Sequence, residues 1–102
     1  MTEKNFSEKV WNALKKIPKG RITTYKLIAK AIGKPKAFRA VGNACNKNPF
    51  SPEVPCHRVV KSNGSLGGYS FGTKKKTALL KKEGIEIKNG KIVDFEKKFF
   101  RF

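Results

Sequence analysis

Proline recurs at every third position of "NPFSPEVPCHRVV", at Pro49, Pro52 and Pro55, and no other feature limits the chain as much. A segment with that spacing cannot be helical and has few backbone donors for a sheet, because each proline lacks an N–H. It is expected to be a fixed extended loop that runs into a strand at Arg58 to Lys61. The loop delivers Cys56, Arg58 and the single histidine of the chain, His57, side by side.

What that triplet can do depends on ionisation. A free thiol, with a pKa of about 8.5, is a poor nucleophile near neutral pH and needs a base or a positive field. His57 and Arg58 are the candidate sources. Adjacent residues of an extended segment point opposite ways, so a direct Cys56–His57 bond is awkward and a bridging water is the better route. A carboxylate must then orient the imidazole. Glu83, beside Gly84 at the end of a helix, is the first choice, with Glu53 and Glu86 still open. An inert packed cysteine beside a surface histidine fits the same residues equally well.

The flanks read as short helices. Ser7 is placed to cap one on which Val10, Trp11, Leu14 and Ile17 recur at helical spacing, ended by Pro18 and Gly20. Thr24 is placed to cap a second, "YKLIAKAI", with Leu27, Ile28, Ala31 and Ile32 as its apolar stripe and Gly33 as its stop. The turn "KPK" leads to a third, "AFRAVGNACNKN". Two short helices joined by a tight glycine turn, with Ala29 small enough for a close crossing, have the pattern of a helix-turn-helix. An ordinary helical hairpin has it too, but Lys34, Lys36, Arg39 and Lys47 gather where phosphate contacts would be needed.

Beyond the proline loop, "SNG" reads as a turn and "SLGGYSFG" as a glycine-rich return that can bring backbone close to a ligand. "TKKKTALLKKE" is a helix closed by Gly84, and "IEIKNGKIV" a hairpin on an Asn-Gly turn. The tail "FEKKFFRF" sets Phe95 and Phe99 four apart, as a short helix or a strand. The expected fold class is mostly α with small β elements, a winged-helix-like helix-turn-helix domain carrying the reactive loop.

Charge points to a partner: 24 Lys and Arg face 7 Asp and Glu, a net charge of +17. A polyanion fits that surplus, and nucleic acid fits better than an anionic membrane because no basic amphipathic helix stands out. A merely solvated lysine-rich surface is the plainer reading. The 102 residues suffice for one domain, 1–102, with one modest core. Cys45 and Cys56 with one histidine fit neither a disulfide framework nor a zinc site. No apolar run approaches the roughly 20 residues of a membrane span, and the first residues are too polar for a signal peptide. The expectation is a reduced, soluble monomer without metal or cofactor, cytoplasmic and nucleoid-associated, or nuclear in a eukaryote.

"PCHRVV", with Asn48-Pro49 eight residues before the cysteine, "GGYSFG" placing Tyr69 thirteen after it, and "LLKKEG" beyond, resembles the O6-alkylguanine-DNA alkyltransferase family. The resemblance spans about Phe6 to Lys88 and corresponds to the family's catalytic domain alone. It implies that Cys56 takes an alkyl group from O6 of guanine in double-stranded DNA, while His57, a water and Glu83 draw off its proton. It implies that Arg39 fills the gap left by a flipped nucleotide, and that Tyr25 assists flipping and donates a proton toward guanine N3. Asn48 becomes a hinge, and Tyr69 and Ser70 a lid on the guanine. Lys76 becomes a lysine near the active site, and the Val59 carbonyl a contact for the exocyclic amine. Lys34 and Lys36 would meet the DNA, and the recognition helix would enter the minor groove.

These roles agree with the chemistry. A base inside a duplex cannot present its O6 substituent to a buried thiol, so the nucleotide must leave the stack at a cost of a few kcal/mol. The thioether product has no easy hydrolytic exit, so each molecule would act once. Four features depart from the family pattern. Its separate N-terminal domain is not found in these residues, Cys45 has no family role, and the tail after Asp94 has no counterpart. Phe71 is bulky after the lid, where it either covers the core or narrows the alkyl side of the pocket. Two other readings remain. Alkyltransferase-like proteins bind lesions without a reactive cysteine, typically with tryptophan in its place, and a helix-turn-helix transcription regulator would have no use for "PCHR". A thiol protease would need a distant His and Asn that the chain does not offer.

Overall fold

The computed structural model describes residues 3–50, 53–69 and 71–102. The chain runs through α1 (Glu3–Leu14), β1 (Thr23–Thr24), α2 (Tyr25–Ala31), α3 (Phe38–Asn46), a 3-10 turn (Cys56–Arg58) and β2 (Val59–Val60). It continues through α4 (Thr73–Lys82), β3 (Ile87–Lys88), β4 (Lys91–Ile92) and α5 (Phe95–Lys98). None of the helices described is long and apolar enough to cross a membrane.

Ser7 does not cap α1: it lies inside the helix and is buried. The apolar stripe reaches back to Phe6, four residues before Val10, so the helix must begin earlier to bury it. Thr24 does cap α2, its hydroxyl accepting from Leu27 N at 3.1 Å. The face α2 buries carries Ile28 and Ala29, whereas Ala31 is exposed. Ala29 takes its place because the crossing with α3 needs a small residue there. Gly33, at φ +81, ends the helix in the left-handed region and completes the helix-turn-helix.

One core was expected, and two hydrophobic clusters are found. The division is made by β1 and β2, which pair in parallel with Thr23 opposite Val59 and Thr24 opposite Val60. Successive strand residues face opposite ways, so Val59 enters the cluster with α1, α2 and α3, and Val60 the one with Leu80, Ile85 and Ile92. Burying each valine contributes about 1.5–3 kcal/mol.

The reactive segment departs from an extended loop. Val54 N donates back to Phe50 O at 2.9 Å, and Cys56–Arg58 is a 3-10 turn, so strand geometry is confined to Val59–Val60. The cause lies in Asn48, whose Nδ2 donates to Val54 O at 2.7 Å while its Oδ1 accepts from Phe50 N at 2.9 Å. One buried carboxamide thus folds the loop onto the end of α3.

The Asn-Gly hairpin forms as read, with Asn89 at φ 53 and Gly90 at φ 74 between β3 and β4. The tail is helix first and strand second. After α5, Phe99 bridges Ile22 in parallel, extending the sheet beside β1.

Candidate active site

Cys56 and His57 are buried at 3% and 1% exposure. His57 Nε2 lies 2.9 Å from Glu83 Oε2, and Arg58 grips the same carboxylate with Nε to Oε1 at 2.9 Å and Nη2 to Oε2 at 2.7 Å. Arg58 Nη1 also donates to Ile17 O at 2.7 Å, fastening the cluster to the turn after α1. Of the three carboxylates left open by the sequence, Glu83 is the one brought to the histidine. It sits at the C-terminal cap of α4, delivered by the Gly84 stop.

Burial pulls the His57 pKa below its ordinary value, outweighing the opposing pull of Glu83. Burial by itself would raise the Glu83 carboxyl. The hydrogen bonds from Arg58 and His57, with their charges, win and hold it below the usual range. A neutral imidazole beside an ionised carboxylate donates from Nε2, which makes Nδ1 the basic nitrogen. Nδ1 is buried and makes no hydrogen bond among the described residues. The pair is therefore arranged to accept a proton.

Lys76 is wholly buried. Its Nζ donates to Val59 O at 2.7 Å, to Leu66 O, and to Gly68 O at 3.2 Å, tying β2 to the glycine-rich return. The Val59 carbonyl thus already accepts one internal bond. Burial lowers the Lys76 pKa to about 8, against an upward pull from Cys45 and Cys56. Burial likewise pushes the Cys45 thiol up to about 12, which keeps it protonated and inert.

Tyr25 opens α2 with its ring packed against the cluster containing Cys56. Burial raises its phenol pKa, so the hydroxyl stays protonated. The glycine-rich return presses against it: a Cβ on Gly67, which has φ +72, would lie 3.0 Å from the Tyr25 oxygen. Only glycine fits there.

Tyr25 also lines a groove of about 590 Å3 together with Lys26, Arg39, Asn43, Asn46 and Lys61. Cys56 does not line this groove; Tyr25 is the residue shared by the groove and the thiol's cluster. Lys34 and Lys36 are exposed in the turn before α3 and are not part of the lining. Tyr69 packs on the first cluster with its ring 5.7 Å from Phe71, and Ser70 lies outside the described residues. Phe71 is 63% exposed, so it does not cover the core.

Three groove-lining residues, Asn43, Asn46 and Lys61, and one contact of the cluster escaped the sequence reading. Asn43 and Asn46 follow Arg39 at i+4 and i+7 on α3, a signal the sequence does carry. The grip of Arg58 on Glu83 and the approach of Lys61 to the groove depend on tertiary contacts that no spacing reveals. Among the described residues, no group of three or more His, Cys, Asp or Glu could hold a metal ion.

A helix-turn-helix with a buried cysteine beside a His–Glu–Arg cluster defines a DNA-binding-type fold carrying a thiol site. Residues 5–85 match the family described as 6-O-methylguanine DNA methyltransferase, DNA binding domain, and the chain belongs to that family. It is 58% identical over 79 residues to a methylated-DNA–protein-cysteine methyltransferase of Methanosarcina acetivorans, covering 78% of this chain and 51% of that protein. The chain thus spans about half the length of that relative. The crystal structure of Mycobacterium tuberculosis OGT in complex with DNA superposes at TM-score 0.77 and 48% identity, over 78% of this chain and 49% of that one. S. pombe Atl1, crystallised with damaged DNA containing O6-carboxymethylguanine, superposes at TM-score 0.89 and 30% identity over 100% of both chains.

Proposed function

We propose that the chain binds double-stranded DNA through α3 and the adjoining groove and takes an alkyl group from O6 of an extruded guanine onto Cys56. The observation that carries this is the unspent His57 Nδ1 in a cluster oriented by Glu83 and Arg58, one residue from a buried thiol. His57 accepts the thiol proton through a bridging water. The sulfur attacks the alkyl carbon, the carbon–oxygen bond breaks, and Tyr25 supplies a proton at N3 as guanine leaves. Arg39, exposed near the start of α3, holds the vacated space in the stack, and Asn48 fixes the loop to the helix. Tyr69 and Ser70 form the lid, Val59 offers the second lone pair of its carbonyl, and Lys76 sets the loop and adds positive field. Lys34 and Lys36 contact phosphates beside the groove.

A second reading, lesion binding without transfer, is favoured by the full-length match to Atl1. Intact mass after incubation with duplex DNA containing O6-methylguanine separates the two. A methyl-sized gain on Cys56, abolished in Cys56→Ser while duplex binding persists, is the expected result. Transfer that survives this change, or moves to Cys45, refutes the assignment.

Phe71, exposed beside Tyr69, narrows the alkyl side of the pocket. Phe71→Gly is expected to speed transfer from a benzyl lesion about tenfold relative to a methyl lesion, the value of roughly 1.4 kcal/mol of relieved crowding. Single-turnover rates for both lesions check it.

A further inference from the structure

The turn after β2 is built from within. Gly64 N donates to Lys61 O and Lys61 N to Ser65 O, each at 2.9 Å. Asn63 Oδ1 accepts from Ser65 N at 3.0 Å and from Ser65 Oγ at 2.7 Å. This turn presents Lys61, Ser62 and Asn63, all exposed, to the groove that Arg39, Asn43 and Asn46 line from α3. With its oxygen engaged in the turn, the Asn63 carboxamide has its N–H end left to donate. An ammonium, a hydroxyl and an amide together suit an acceptor-only partner such as a phosphodiester.

The turn is held from the C-terminal side. Ile92 N donates to Gly64 O at 2.9 Å, Leu66 N to Gly90 O at 3.3 Å, and the Phe95 ring lies 3.6 Å from where a Gly64 Cβ would stand. The tail is fastened in turn to the other edge of β1. Ile22 N donates to Lys98 O at 2.9 Å, Phe100 N to Ile22 O at 2.7 Å, and Arg21 Nη1 to Lys97 O at 2.7 Å. Phe95 and Phe99 close the gap with ring centroids 4.5 Å apart. Each of these contacts uses a residue beyond position 85, where the family match ends.

We propose that residues 86–102 are a brace that sets the Lys61–Asn63 turn as a second wall for a phosphodiester backbone, independent of α3. The inference rests on reading the groove as a DNA interface, but not on alkyl transfer. Because the brace meets the turn through backbone groups and an aromatic ring, it controls an ionic contact by position.

The test is the salt dependence of binding to undamaged duplex by the full chain. Lys61→Ala should lower the slope of log affinity against log salt by about 0.9, the value of one phosphate contact. Phe95→Ala should lower it equally without removing any charge, and the double variant should lose no more than either alone. Transfer from free O6-benzylguanine nucleobase to Cys56, read by intact mass, should be unchanged in Phe95→Ala. An unchanged slope in Lys61→Ala overturns the wall. A lowered slope there with an unchanged one in folded Phe95→Ala overturns the brace, as does loss of free-base transfer in a folded Phe95→Ala. Should Phe95→Ala not fold, Phe95→Leu, a milder loss of the same ring contact at Gly64, carries the brace half of the test, with the same lowered slope expected and an unchanged one overturning it. Absence of any transfer in the wild type, with the slopes behaving as expected, would refute the alkyltransferase reading and leave the brace standing.

Discussion

Arg58 and Lys76 both place a cation under the reactive segment, and they are neutralised in different ways. Arg58 meets a full negative charge, with both oxygens of Glu83 engaged. Among the described residues Lys76 meets no carboxylate; it meets the carbonyl dipoles of Val59, Leu66 and Gly68, with the Tyr25 ring centroid 5.9 Å away. The Arg58 charge is cancelled locally, so its contribution is geometric: it holds Glu83 ionised and aimed at His57. The Lys76 charge is solvated but not cancelled, so it still acts on its surroundings, and it can be lost at an accessible pH. Orientation and field are thus assigned to different residues.

Removing Arg58 should break this arrangement most. Arg58→Met leaves a carboxylate only 11% exposed without its main partner, a change that costs about 3 kcal/mol. Urea denaturation measures the loss. Adding Glu83→Gln removes the stranded charge and should restore most of the stability but none of the transfer. Full recovery of both would mean the pair has no orienting role.

Lys76 sharpens the contrast through pH. Its folded pKa, about 8, lies below its ordinary 10.5, so between these values the unfolded chain holds the proton more tightly. Lys76 by itself therefore contributes stability that rises as pH climbs from about 8 to about 10.5, by on the order of 3 kcal/mol, while Cys45 and Tyr25, both held protonated by the fold, pull the other way above about pH 9. In Lys76→Met that rise should vanish, with stability near pH 7 changed by only about 1 kcal/mol, because a buried cation and its desolvation cost leave together. Transfer at pH 7 should fall about 100-fold, as when a preorganised electrostatic group is lost. Parallel pH-dependent urea curves and single-turnover rates test both halves.

Much of the scaffold was legible because its signals are local. Thr24, Gly33, Gly84 and Asn89-Gly90 each enforce a backbone state that neighbouring residues cannot override. Ser7 misled because a serine can end a helix or sit inside one, and Phe6 decided the matter from outside the capping pattern. The burial of Lys76 was hidden in the run Lys74-Lys75-Lys76, although its position four residues before the buried Leu80 marks the inward face of α4. The 3-10 turn at Cys56 was not readable. It depends on Asn48 reaching across to Val54, and on Arg58 finding Glu83 at the far end of another helix.

The pairing of residue 22 with residue 99 also bears on how the molecule comes into being. A mostly helical chain of this length would ordinarily fold fast, on local contacts. Here the central strand is flanked on one side by residues 59–60 and on the other by the last turn of the chain. Both are parallel pairings across long stretches of sequence, the kind whose closure entropy must be met before any contact rewards it. During synthesis the thiol and its α1–α3 surroundings can assemble as soon as residue 60 is free, but the far edge of the sheet stays open until Phe100 has emerged. The chain therefore combines the composition of a helical protein with the folding tempo of a β protein.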